Sequence, residues 1–224
     1  MGVSPTNTQS ETIRLPSSKF PSGYKVRVTR YADLILEHGF PQRFRELVEN
    51  LEDFTIKLSE VKTGGGSRAS HTKRFDDGLG KFGWGKRNIV IEKTIDGLKV
   101  QEVRGHEIDM FAEGSSDSPY PGIAVEMEWN NKDPFFDRDL VNFQALHSEG
   151  AIAVGVIVTR GPNLQELLKT IRTSESSGPK YGQSSTHWNK LVPRVALGGG
   201  GQCPLILIGI ETERLIGSET LGSS

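Results

Sequence analysis

Glu126 and Glu128 stand two residues apart in the stretch IAVEMEWNNKDPFFDRDL, which begins at Ile123. Side chains of an extended strand alternate, so Ile123, Val125 and Met127 share one face while Ala124, Glu126 and Glu128 share the other. Two neighbouring carboxylates repel, and solvent, a shared proton or a cation must relieve them. Upstream, HEIDMF from His106 reads as a second strand. If it pairs with the first, Asp109 joins the two glutamates at a strand end. Oxygen-only clusters suit hard divalent ions, Mg²⁺ above all, which keeps most of its waters and takes one or two protein carboxylates with a substrate phosphate. Such an ion activates water and neutralises charge developing on a phosphoryl oxygen. The plainer alternative is a wet outer face, because acids on the solvent side of an amphipathic strand are commonplace. The residues alone leave both readings open.

Holding three carboxylates at one strand end requires a sheet and something to cover it. GIAVEMEW and HEIDMF read as neighbouring strands, and AIAVGVIVTR, apolar throughout, as a central strand covered on both faces. Phe136, Leu140, Phe143 and His147 recur at helical spacing over FFDRDLVNFQALHSEG, with Gly150 as the stop. NLQELLKTIR and the shorter HWNKLVPRV read as further helices, and PLILIGI as a final buried strand. Earlier, Phe44, Leu47, Val48 and Leu51 predict a helix after Pro41, and Phe54, Ile56 and Leu58 alternate as in a strand. NIVIEKTIDGLKVQEV reads as a hairpin turning at Asp96-Gly97. The expected fold class is α/β, with a mixed central sheet flanked by helices.

With 224 residues and 35% hydrophobic content the chain can bury one sizeable core. The expected organisation is a peripheral or poorly ordered tail over 1–22, one domain over 23–218 and a short tail over 219–224. Net charge is only −1, yet residues 61–100 hold nine lysines and arginines against four acids, an excess of five. A single cysteine excludes an internal disulfide and any multi-cysteine zinc site, and fits a reducing cytoplasm. No apolar run is long enough to span a bilayer.

HEIDMF, GIAVEMEWNNKDPFFDRDL and VGVIVTR, with the downstream KYGQSSTHWNKLVPR and GGGGQCPLILIGI, resemble the BglII, BamHI and BstYI group of type II restriction endonucleases, in the PD-(D/E)xK nuclease superfamily. The likeness follows the order of elements from Tyr31 to Ile210 and is sharpest between His106 and Arg160. The resemblance implies that Asp109 is a bridging metal ligand and Glu126 a second ligand. Glu128 takes the place of the superfamily's usual lysine, a departure that the BamHI branch shares, and completes the catalytic and metal-binding set. Whether Glu128 deprotonates the attacking water or only holds it stays open. Also implied are Mg²⁺ as cofactor, double-stranded DNA cut at a short palindrome to leave 5′-phosphate ends, and a symmetric homodimer. Alternatives are a non-specific or structure-selective repair nuclease, and a catalytically inactive DNA-binding protein on the same fold.

DNA contacts are expected from two segments. TGGGSRASHTKRFDDGLGKFGWGKR reads as a long Gly-rich basic loop near 62–88, offering Arg68, Lys73, Arg74, Lys86 and Arg87 to phosphates or guanine edges. A second loop near 173–190 offers Lys180, Ser184, Ser185, Thr186 and His187. An ordinary solvated loop is the alternative for each. Glu107 shares a face with Asp109 and reads as a supporting or surface acid, while Lys132 and Asp133 either position a phosphate or form a helix-entry turn.

Overall fold

The apolar run AIAVGVIVTR becomes the middle of the structure, because a strand with no polar face is stable only where both faces are covered. The computed structural model describes residues 13–62, 69–171, 181–182 and 184–217. The first half of the chain forms β1 (Tyr24–Val28), α1 (Ala32–Leu34) with a π-helical turn (Ile35–Gly39), α2 (Pro41–Asp53), β2 (Ile56–Lys57), α3 (Leu58–Lys62), α4 (Ser70–Gly80) and β3 (Gly85–Arg87). Then come β4 (Val90–Ile95), β5 (Leu98–Arg104), β6 (Ile108–Ala112), β7 (Gly122–Glu128), α5 (Phe135–Ser148), β8 (Ile152–Arg160) and α6 (Pro162–Thr170). The chain continues through α7 (Trp188–Ala196), β9 (Leu205–Ile210), a 3₁₀ turn (Thr212–Arg214) and β10 (Leu215–Ile216).

Six strands form one sheet in the order β1-β9-β8-β7-β6-β3. β7, β8 and β9 run parallel, and β1, β6 and β3 close the two sides antiparallel. This is the α/β, mixed-sheet architecture expected from the sequence. One face carries Val125, Met127, Val156 and Ile208, packed against Leu47 and Leu51 of α2, Phe75 and Leu79 of α4, and Leu164 and Leu168 of α6. The other carries Ala124, Ile157 and Leu207, packed against Phe136, Leu140 and Phe143 of α5 and Leu191 and Val195 of α7. The alternation of β7 is therefore as the sequence predicts, and Glu126 and Glu128 point to the α5 side.

β4 and β5 form the predicted hairpin, outside the main sheet. Asp96 and Gly97 at its tip both take positive φ, 50° and 79°. A two-residue turn whose twist matches its strands requires that pair of left-handed residues, which Asp-Gly supplies.

Three elements differ from expectation. The basic segment near 62–88 is not a loop throughout, because α4 and β3 lie inside it; His71, Phe75 and Leu79, at helical spacing, bury one side of α4. The alternation at Phe54, Ile56 and Leu58 gives only the two-residue β2, since Leu58 already begins α3. β1, which the sequence reading passes over, is an edge strand of the main sheet. Of the segment 1–22, residues 13–22 are described, and Arg14 pairs with Asp33 and bridges backbone to backbone with Val28. Among the described residues no helix is long and apolar enough to cross a membrane.

Candidate active site

The antiparallel register of β6 on β7, with Met110 opposite Val125, carries Asp109 to Glu126. The Asp109 backbone N–H donates to Glu126 Oε1 at 3.2 Å. Glu128 follows on the same face at the end of β7, where the Thr159 hydroxyl of β8 donates to its carbonyl at 2.7 Å. Glu126 is 2% exposed and Glu128 3%. The wet-face alternative therefore does not hold. The Asp109 side chain, at 34%, is open to solvent.

A fourth carboxylate stands beside them. Asp139 on α5 is 1% exposed. Arg138 next to it joins the group: its Nη2 donates to Glu128 Oε1 at 3.2 Å and lies 2.8 Å from Asp139 Oδ1, while its Nε donates to Asp139 Oδ1 at 2.9 Å. The Asn131 amide donates to Glu128 Oε2 at 2.6 Å. Asn142 holds α5 in place by exchanging two 3.1 Å hydrogen bonds with the backbone of His106, just before β6. Asp139, Arg138 and Asn131 were not foreseen. A signal for Asp139 existed, since it falls in the apolar stripe of Phe136, Leu140 and Phe143 rather than opposite it.

The electrostatics follow from burial without enough positive charge. Loss of hydration, then the nearby charges of Asp139 and Asp109, push Glu126 well above the usual carboxylate range. Burial, then Asp139, raises Glu128 to about 8, against the pull of Asn131 and Arg138. Burial raises Asp139 too, with Arg138 opposing. Buried anions in excess of their cations call for protons or a metal ion. Among the described residues no three His, Cys, Asp or Glu side chains converge as a ready-made metal cage. Mg²⁺ does not need one, since one or two carboxylates with waters and a phosphate suffice. The Asp109 and Glu126 pair fits that requirement.

The other nominated residues sort by burial and partner. Lys86 on β3 reaches the site, with Nζ 2.5 Å from Glu107 and 3.9 Å from Asp109. Glu107 also accepts from Asn88 at 2.9 Å, as a surface acid would. Arg87 pairs with Glu113 at 2.6 Å. Lys73 pairs with Asp77 at 2.5 Å on the exposed side of α4. Arg74 is committed inward, giving hydrogen bonds to Glu60 at 2.6 and 2.9 Å and to the Thr55 carbonyl at 2.7 Å. That bonding holds Glu60 down at about 2. Arg68 and Lys180 lie outside the described residues.

Residues 184–187 run beside the end of β7. Ser185 bridges to Lys132, Thr186 N–H donates to the Asn131 carbonyl at 2.9 Å, and Asp133 N–H donates to the Ser184 carbonyl at 3.1 Å. The buried Arg160 at the end of β8 secures them through the Ser185 hydroxyl at 2.7 Å and the Thr186 carbonyl at 2.7 Å. Ser184 is exposed and Ser185 half-buried, whereas Thr186 and His187 are buried and face protein. Asp133 serves the helix entry, taking Arg194 of α7 at 3.3 Å.

The Endonuc-BglII family model, described as restriction endonuclease BglII/BglIII, matches residues 24–210, which span the sheet from β1 to β9 and every residue of the site. None of the curated proteins compared with the chain matches it.

Proposed function

The chain belongs to the BglII/BglIII restriction endonuclease family, a family of site-specific DNA endonucleases, and from that premise we propose a type II enzyme that uses Mg²⁺ to cut both strands of a short palindrome and leave 5′-phosphate ends. The observation that carries this reading is the pairing of Asp109 with Glu126 across β6 and β7, with the buried Glu128 two residues on. Bound Mg²⁺, held by Asp109 and Glu126, would supply Lewis acidity at the phosphoryl oxygen and acidify an attacking water.

The chain's own groups do the rest. Glu128, whose own proton a bound cation would displace, would then accept the proton of the attacking water. Asn131 and Arg138 fix both of its oxygens. Lys86 brings positive charge to the open side of Asp109, where a phosphate approaches. In-line attack breaks the bond to the 3′-oxygen, so phosphate stays on the 5′ end. A single site cuts one strand, and a twofold dimer matches a twofold DNA sequence, which supports a homodimer. A cytoplasmic location accords with the buried free thiol of Cys203.

Incubation of the pure protein with phage DNA and Mg²⁺ tests the reading. Discrete bands, whose ends accept labelled phosphate only after phosphatase treatment, are expected. A smear would replace it with a non-specific nuclease, and intact DNA with a binding protein. Sedimentation of the protein tests the dimer.

A further inference from the structure

We propose that Arg160 is a positioning residue of the cleavage reaction: it clamps residues 185 and 186 against 131 and 132, and so places the Asn131 side chain that holds Glu128. The inference rests on the nuclease reading above and extends it to a buried residue of β8.

Arg160 is 0% exposed. Its Nη1 is shielded from solvent and has no hydrogen-bond partner, and among the described residues no carboxylate neutralises it. Loss of hydration accordingly lowers its pKa from 12.5 to about 10. A buried cation without an anion costs stability, and an apolar side chain of similar volume serves packing better. Its place in the core therefore calls for something that a guanidinium does and an apolar group does not.

That something is orientation. The ring centres of Trp129 and Tyr181 lie 5.7 and 5.0 Å from the guanidinium carbon, which holds the fork between them. Nε and Nη2 both donate to the Thr186 carbonyl, at 3.2 and 2.7 Å, and Nη2 also donates to Ser185 Oγ at 2.7 Å. With its carbonyl fixed toward Arg160, Thr186 turns its N–H to the Asn131 carbonyl at 2.9 Å, while Ser185 bridges antiparallel to Lys132. Residues 131–133 and 184–186 thus form a short two-stranded strap tied to the end of β8. Asn131 is where the strap meets the chemistry, because its backbone belongs to the strap and its side-chain amide donates to Glu128 Oε2 at 2.6 Å. Asn131, Lys132 and Ser184 are exposed, so DNA lying on the strap presses on the same backbone that places the partner of Glu128. Arg160 is the rigid footing beneath it.

Two measurements on full-length variants, kept below their melting temperatures, separate positioning from mere support: single-turnover cleavage of plasmid DNA with Mg²⁺ at saturating protein, and affinity for a random-sequence duplex in Ca²⁺. Arg160→Lys keeps the charge and loses the fork; cleavage is expected to fall about tenfold or more, with affinity within about twofold of wild type. Asn131→Ala is expected to slow cleavage as well, and the double variant to be no slower than the slower single one, because both act through the same bond to Glu128. Losses that multiply, a loss of affinity as large as the loss of cleavage, or wild-type cleavage by Arg160→Lys would each overturn the proposal. Should Arg160→Lys not fold, Ser185→Ala loosens the same tie from its half-buried side. Cleavage several-fold slower at unchanged affinity, with no further loss on adding Asn131→Ala, then supports the proposal, and wild-type cleavage overturns it. A wild-type protein that leaves the plasmid intact sinks the nuclease reading and the proposal together, whereas one that cuts no faster than Arg160→Lys sinks the proposal alone.

Discussion

At the scale of single residues, the strand period was enough to place Glu126 and Glu128 on one face, and a pairing argument brought Asp109 to them. If Asp109 and Glu126 hold the metal, Asp109→Asn and Glu126→Gln each reduce cleavage by several orders of magnitude, while binding to DNA in Ca²⁺ persists because the contact segments are untouched. Gel assays of cleavage and filter binding check this, and near-wild-type turnover by either variant would move the site elsewhere. Burial adds a consequence that no spacing rule contains. Glu128 is raised from 4.5 to about 8 in the folded protein. Between those values the unfolded chain has lost the proton and the folded protein keeps it. The contribution of Glu128 to metal-free stability is therefore full below pH 4.5 and declines as pH rises to about 8. Glu128→Gln is expected to remove that share of the decline, so a variant melting curve series parallel to wild type from pH 5 to 8 would refute the burial argument. Asp139 escaped the sequence reading for a related reason. In FFDRDL an inward acid and an outward acid look alike until the helix is rotated against its apolar stripe.

At the scale of elements, strands and helices with strong periodicity were legible: the central β8, β7 with its two glutamates, α5 and the Asp-Gly hairpin. Those missed were short or interrupted. In β1 the apolar alternation of Tyr24, Val26 and Val28 is present but only five residues long, too short to separate from chance without its partner β9. In α4 the glycines at 78 and 80 and the surrounding charges hid the stripe of His71, Phe75 and Leu79. Glycine at 78 has a packing cause that no local pattern displays, since a Cβ there would lie 1.9 Å from the Asn50 side chain of α2. The site depends on a similar fit. A Cβ on Gly155 of β8 would lie 2.4 Å from the ring of Phe143, a buried residue of α5. Gly155→Ala must push the ring and with it the helix that carries Arg138 and Asp139. A loss of about 1–3 kcal/mol in folding stability is expected, together with a fall in kcat larger than the change in DNA affinity. Denaturant melts and steady-state kinetics test both parts, and an unshifted melt would mean that α5 is not seated by this contact.

At the scale of the whole molecule, the sheet has a working end. Glu128 ends β7, Arg160 ends β8, and residues 184–187 lie across the gap beside 131–133. His71, near the start of α4, packs 4.2 Å from Trp129, so that helix presents its first turn at the same end. Lys81, just past its last turn, lies about 12 Å from Lys73 along the axis, toward the other end. The sequence could report an excess of cations between residues 61 and 100 but not which of them share an end with the carboxylates, because that depends on tertiary placement. A chain of net charge −1 that binds DNA must rely on such local placement. Lys73 and Lys132 are exposed at the working end, and the ion pair of Lys73 with Asp77 is solvent-exposed, so exchanging it for a phosphate costs about 0.3–0.5 kcal/mol. Lys73→Gln and Lys132→Gln should each weaken binding to every duplex and flatten the dependence of log affinity on log salt by about 0.9. Lys81→Gln serves as the control and should leave the slope unchanged. Arg74→Gln should lower stability through the loss of its bonds to Glu60 and the Thr55 carbonyl, with little effect on the slope. The measurement is affinity for a random-sequence duplex across a salt series in Ca²⁺. Equal slopes for wild type, Lys73→Gln and Lys132→Gln, or a change at Lys81 matching theirs, would mean that DNA does not lie across this end of the sheet.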